Sequence, residues 1–239
     1  MFLLLLASYL QIMILLKISV IFNVSNQPDF MKITIIFSLL ALLYTGANAQ
    51  QVTHLKKAAV PAAMKYHGPF TDAIRYQDKE GTHVVIITQD VTAQPADDDE
   101  SVYTGILHAW SYLQSGNSVQ LSWQLNDNAG PCGGDVDVKF RPGSLSVTDL
   151  DHNGLAEVWL VYRVSCHGFQ TPSPMKVIMH EGAQKYAMRG TTKLKLKVTP
   201  VQYKGGDYVF DEVFNAAPQT FRDYAKGLWV KNWDEVALY

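Results

Sequence analysis

The chain has few cysteines, little excess charge and none of the short motifs that mark the common enzyme families. Only two of its 239 residues are cysteine, and no C-x-x-C or H-x-x-x-H pair points to a zinc site. Lysine and arginine total 20 against 22 acidic residues, so neither nucleic acid nor an anionic membrane surface is an expected partner. The sequence also lacks G-x-S-x-G, H-E-x-x-H, Walker and G-x-G-x-x-G motifs, and therefore indicates no particular reaction.

Long hydrophobic runs are confined to the first 49 residues. Residues 2–22 are almost wholly apolar, and a second, start-like unit begins at Met31. There Lys32 precedes a short apolar run, and Ala47 and Ala49 form an A-x-A cleavage site. A charged residue, an apolar stretch of this length and small residues at the cleavage point are the pattern of a secretory signal peptide.

The chain therefore divides into three parts in our prediction. Residues 1–30 are an apolar segment added by a start codon assigned too early, 31–49 are a signal peptide, and 50–239 are a single domain. The alternative is a membrane helix at 2–22, which is long enough to span a bilayer. We expect an exported protein, located in the periplasm, on the cell surface or outside the cell, with no stable membrane span after cleavage.

Short apolar or alternating segments separated by turn residues predict a mainly β domain. The predicted strands are 72–76, 83–88, 103–110, 119–123, 136–140, 144–147, 158–162, 175–180, 184–189, 193–198 and 208–210. Close spacing favours antiparallel meander sheets, with loops at 93–101 and 126–134. A glycine turn before a buried strand occurs at both Gly81 and Gly154, which suggests propeller-blade-like units. One C-terminal helix is predicted from Pro218 to Lys226, closed by Gly227.

An acidic loop precedes the predicted strand at 158–162. Asp149, Asp151 and Asn153 alternate, Gly154 permits a sharp turn, and Glu157 occupies the ninth place counted from Asp149. Oxygen side chains spaced in this way around a glycine can wrap a hard cation such as calcium. The loop is not an EF-hand, because its twelfth place is Leu160 and a strand, not a helix, follows.

The pattern D-x-D-x-N-G-x-x-E before a strand resembles the calcium loops of integrin-type (FG-GAP) β-propeller blades. That resemblance implies a ligand set that consists of Asp149, Asp151, Asn153, the Leu155 carbonyl and Glu157. The cofactor it implies is Ca²⁺ in a structural role. The alternative is an Asx-rich β-turn without an ion, since Asp, Asn and Gly form turns unaided.

Cys132 and Cys166 most simply form one disulfide in an exported chain. A thiol nucleophile at Cys166 beside His167 is an alternative, although neighbours on a strand point to opposite faces. A zinc site is the other alternative, but close additional ligands are lacking in the sequence.

Three stretches resemble a group of small exported bacterial proteins named for surface polysaccharide biosynthesis. They are Val147–Gly168 with its C-H-G, Met175–Gly190 with K-Y-A-M-R-G, and Phe221–Trp229. Both cysteines have counterparts in that group, which supports the bond. The resemblance implies a role at the cell envelope, with a surface glycan or an envelope protein as partner, but supplies no catalytic residues.

Three functions remain open from the sequence. The leading one is a non-catalytic exported β-domain with a calcium-type loop, accessory to the cell envelope or surface polysaccharide. The second is a glycan-modifying enzyme with a cleft formed by several loops, for which His167 and His180 are the best-placed histidines. The third is a secreted protein-binding module or inhibitor.

Overall fold

Two antiparallel meander sheets, packed face to face, carry most of the domain. The computed structural model describes residues 51–95, 101–116, 118–134, 136–166 and 171–237, within a unit that runs from Gln50 to Tyr239. The predicted segments 1–30 and 31–49, the acidic run Asp97–Glu100 and His167 lie outside the described residues.

The first sheet has its strands in chain order, β1-β2-β3-β4-β5. They are β1 (Thr53–His54), β2 (Phe70–Asp78), β3 (Gly81–Pro95), β4 (Ser101–Ser115) and β5 (Ser118–Cys132), with a 3-10 turn at Lys57–Ala59 after β1. Alternating apolar residues on β2 to β5 give this sheet one face against the second sheet and one against the segment around Met64.

The second sheet runs in the order β13-β10-β9-β8-β6, and β7 pairs with the start of β8. Its strands are β6 (Val136–Phe140), β7 (Ser146–Thr148), β8 (Glu157–Cys166), β9 (Pro174–Glu181), β10 (Gln184–Thr191) and β13 (Tyr208–Phe210). A small third sheet contains β11 (Lys193–Leu196), β12 (Gln202–Gly205) and β14 (Asp234–Val236), in which β11 and β14 are parallel.

The two helices, α1 (Glu212–Ala216) and α2 (Gln219–Asn232), cover the second sheet on the face away from the first. Trp159 of β8 and Trp229 of α2 are fully buried in the core between helix and sheet. The other core lies between the two sheets and includes Ile74, Leu160 and Ile178. The predicted mainly β fold with antiparallel meanders and a C-terminal helix is confirmed.

Two predicted loops are partly strand. Residues 126–132 of the predicted 126–134 loop continue β5, although the segment contains Gly130 and Pro131. β5 is the edge of its sheet, where a proline's missing N–H need not cost a ladder bond, so turn-type composition is tolerated. Residues 93–95 and 101 of the other predicted loop extend β3 and begin β4.

The predicted helix end at Gly227 is wrong, because α2 continues to Asn232. A glycine inside a helix costs about 1 kcal/mol relative to alanine. The turn that follows buries Leu228 and Trp229 against the second sheet, and burying side chains of that size gains more than this cost. Tertiary packing therefore overrides the local stop signal.

Candidate metal centre

Glu157 lies at the point where the acidic loop enters β8. Its neighbours Val158 and Leu160 pack between the two sheets, so strand alternation turns Glu157 towards the helix-covered face. The side chain is fully buried. Its carboxylate accepts hydrogen bonds from Thr148 Oγ1 at 2.6 Å and from the backbone N–H of Leu150 at 3.0 Å.

The loop brings the carboxylates of Asp149 and Asp151 to Glu157. One oxygen from each of the three residues lies within 4.8 Å of the others. Calcium binds oxygen at about 2.3–2.6 Å, so two oxygens on opposite sides of one ion are about 5 Å apart. The three acidic side chains are thus close enough to ligate one metal ion together.

The surroundings of Glu157 disfavour its ionised form. Burial raises the pKa of Glu157; the hydrogen bonds from Thr148 and Leu150 oppose that shift, and the charges of Asp151 and Asp149 add to it. Asp149 Oδ1 is excluded from solvent and accepts no hydrogen bond from the described part of the chain. Among the described residues, no basic side chain forms an ion pair with any of the three carboxylates.

Asn153 shapes the loop as well as lying beside the cluster. Its Oδ1 accepts from the Leu155 N–H at 2.7 Å, and its Nδ2 donates to Asp151 Oδ2 at 2.9 Å. The bond from the Leu155 N–H to Asn153 Oδ1 is that of an Asx turn, so the predicted ion-free turn and the predicted ion loop share one backbone. The role of Asn153 and Leu155 as metal ligands stays a prediction, because the contacts described for them are hydrogen bonds. The positive φ of Gly154, 81°, supports the glycine turn.

The sequence prediction missed a fourth acidic residue at this site. Glu181, at the end of β9, is the direct cross-strand partner of Glu157, and its Oε1 accepts from Asn153 Nδ2 at 2.6 Å. Like charges directly opposite each other on a sheet are destabilising unless something compensates them. The β8–β9 register would have revealed the pair, but the register is a property of the folded sheet.

The turn between β2 and β3 supports the acidic loop from the first sheet. The Lys79 N–H donates to the Gly154 carbonyl at 3.0 Å, and Lys79 Nζ donates to the Asn153 carbonyl at 2.8 Å. The buried Asp78 carboxylate accepts from the Ala156 N–H at 3.2 Å. The two glycine turns that the sequence matched as a repeat therefore lie against each other.

The remaining predicted residues lie apart from this cluster. Cys132 and Cys166 form a disulfide with sulfurs 1.93 Å apart, and this pairing replaces the thiol and zinc alternatives. His180 is buried between the sheets and stacks on Trp123 with ring centroids 4.1 Å apart.

Neither α1 nor α2 has the length and apolar character needed to cross a membrane. No protein-family model, no curated protein sequence and no solved structure matches this chain.

Proposed function

We propose that this protein is an exported, non-catalytic β-domain whose acidic loop binds calcium, and that it acts as an accessory to the cell envelope or its surface polysaccharide. One observation carries the calcium part of the proposal. Oxygens of Asp149, Asp151 and Glu157 converge within 4.8 Å, and Glu157 is fully buried with no cationic partner among the residues that the structure describes.

Calcium suits this donor set better than a transition metal. The converging groups are carboxylates, which are hard oxygen donors, and no histidine or cysteine of the described segments joins them. Asp149 offers a buried oxygen with an unused lone pair. The oxygens of Asn153 and the Leu155 carbonyl would complete the ligand set implied by the FG-GAP resemblance.

The ion's role would be structural. It would neutralise carboxylates that repel one another and fix the acidic loop against the start of β8. The β2–β3 turn is bonded to the same loop through Asp78 and Lys79, so order in the loop would extend to the first sheet. A rigid loop at the end of two packed sheets is suited to presenting a surface to an envelope partner.

Differential scanning calorimetry with and without calcium tests the ion. A ligand at about 100 times its Kd stabilises by about 2.7 kcal/mol, which raises the Tm of a domain of this size by roughly 5–10 °C. Asp151→Ala should abolish the rise. Asp90→Ala, which removes an exposed carboxylate on β3, is the matched control and should retain it.

A Tm that calcium leaves unchanged in the wild-type protein contradicts the proposal, as does an equal rise in Asp151→Ala. Magnesium in a parallel scan distinguishes a calcium-sized site from general screening of charge. Export is tested separately by sequencing the N-terminus of the protein recovered from the expressing cell's envelope or medium. The expected first residue is Gln50, and an intact Met1 or Met31 would contradict cleavage.

A further inference from the structure

Four basic side chains share one face of the β9–β10 hairpin. Lys176 is the direct cross-strand partner of Arg189, and His180 is the direct partner of Lys185. Between these two pairs lie Ile178 and Ala187, which pack in the core between the sheets. Cross-strand partners project to the same side, so all four basic side chains lie on the face turned towards the first sheet.

The acidic groups near this face are already committed to other donors. Asp127 of β5 accepts from Lys176 Nζ at 2.5 Å and from the Tyr162 hydroxyl at 3.0 Å. Asp211 lies 3.9 Å from Arg189 Nη1, and it also caps α1 by accepting from the Phe214 N–H at 2.9 Å.

Lys185 is left without an acidic partner. Across the described part of the chain no carboxylate forms an ion pair with it. Partial burial lowers the pKa of Lys185, and the charges of Arg189 and Lys176 lower it further, against the opposing effect of Asp127 and Asp211. Like charges that face each other across a strand pair are destabilising. The positive charge concentrated on this face therefore lowers the stability of the folded chain.

His180 adds a buried polar group to the same face. The residue is 4% exposed, and within the described ranges neither ring nitrogen has a hydrogen-bond partner. A buried polar group without a partner costs about 1–3 kcal/mol, and such groups in native proteins call for an explanation. A neutral imidazole offers one N–H donor and one acceptor nitrogen, beside the Lys185 position across the strand.

We propose that this face of the β9–β10 hairpin binds an oxyanion, the carboxylate or phosphate group of a small soluble ligand such as an acidic sugar. Lys185 and Arg189, which lie on either side of Ala187 along β10, supply the charge. This site is independent of the calcium loop, because Glu157 faces the helices and the basic face is turned the other way.

Isothermal titration calorimetry at low salt tests the site with three probes: inorganic phosphate, glucuronate and neutral glucose. We expect phosphate or glucuronate to bind and glucose not to bind, and the stronger of the two anions identifies the chemistry that is preferred. Lys185→Gln should weaken that binding about tenfold or more, because a hydrogen bond to a charged group is lost. Lys195→Gln, which removes an exposed lysine on β11, is the matched control and should bind as the wild type does.

The folded state of the variant can be checked in the same samples. Lys185→Gln relieves repulsion and breaks no ion pair of the described residues, so its Tm should not fall below that of the wild type. Arg189→Gln is a second variant that should weaken binding independently. The proposal is overturned if neither anion binds at millimolar concentration, or if both variants bind the anion as tightly as Lys195→Gln does.

Discussion

Replacing the buried His180 with phenylalanine should reduce the pH dependence of this protein's stability. The imidazole lies in the core between the sheets, stacked on Trp123 with an angle of 9° between the ring planes. Burial, with a smaller contribution from the charge of Lys185, lowers the pKa of His180 from its ordinary value of 6.5 to about 4. A phenyl ring keeps the stacking and cannot be protonated.

The sign of the effect follows from which state binds the proton first. In the unfolded chain His180 is protonated as the pH falls through 6.5, whereas the folded protein keeps it neutral until the pH approaches about 4. Between these values the unfolded state binds more protons, so the free energy of unfolding decreases as the pH falls. Since one pH unit is worth about 1.4 kcal/mol, the full loss is about 3 kcal/mol.

Urea denaturation between about pH 7 and about pH 4, with a chelator present, measures this loss. The free energy of unfolding of the wild type should fall by about 3 kcal/mol more than that of His180→Phe over the interval. His54→Phe, which replaces an exposed histidine, should keep most of the wild-type dependence of the free energy of unfolding on pH. Parallel pH profiles for the wild type and His180→Phe would refute the reasoning, whatever the absolute stability of the variant.

Four further substitutions test the site and the packing. Glu157→Gln removes the buried charge, so it should raise the Tm in a chelator and abolish the rise in Tm with calcium. A lower Tm in the chelator would contradict the inference that the buried carboxylate destabilises the metal-free protein. Gly227→Ala should stabilise the protein by about 0.5–1 kcal/mol, because an added Cβ meets open space in a helix interior. Gly190→Ala should destabilise it severely, because its Cβ would lie 1.9 Å from a backbone oxygen. Urea melts of the two glycine variants should move in opposite directions. Cys132→Ser opens a loop of 34 residues and should lower stability by about 4 kcal/mol; a change near zero would show that the bond contributes little.

Features that depend on neighbours in the chain were predictable. The period-two alternation of apolar residues located the strands, and turn residues located the hairpin between β9 and β10 at Glu181 and Gly182. The acidic cluster was predictable for the same reason, because its three carboxylates come from nine consecutive residues that a short loop must hold close together.

Features that depend on packing between distant parts of the chain could not be predicted from the sequence. The helix prediction ended at Gly227 because local propensity favours a stop there, and only the burial of Trp229 against the second sheet explains why the helix continues. β5 has the composition of a loop from Asn126 onwards, and its position at the edge of a sheet is what makes it a strand.

The amino-acid sequence by itself determined the β-rich class and the oxygens of the acidic loop, because both arise from side chains a few residues apart. Only the tertiary structure decided that Glu157 is buried, that Glu181 stands opposite it, and that Asp127 meets Lys176 across two sheets. Burial and contacts between distant residues depend on which strands pair and which faces pack. Those choices are made by the hydrophobic core of the whole domain, and no local pattern contains them.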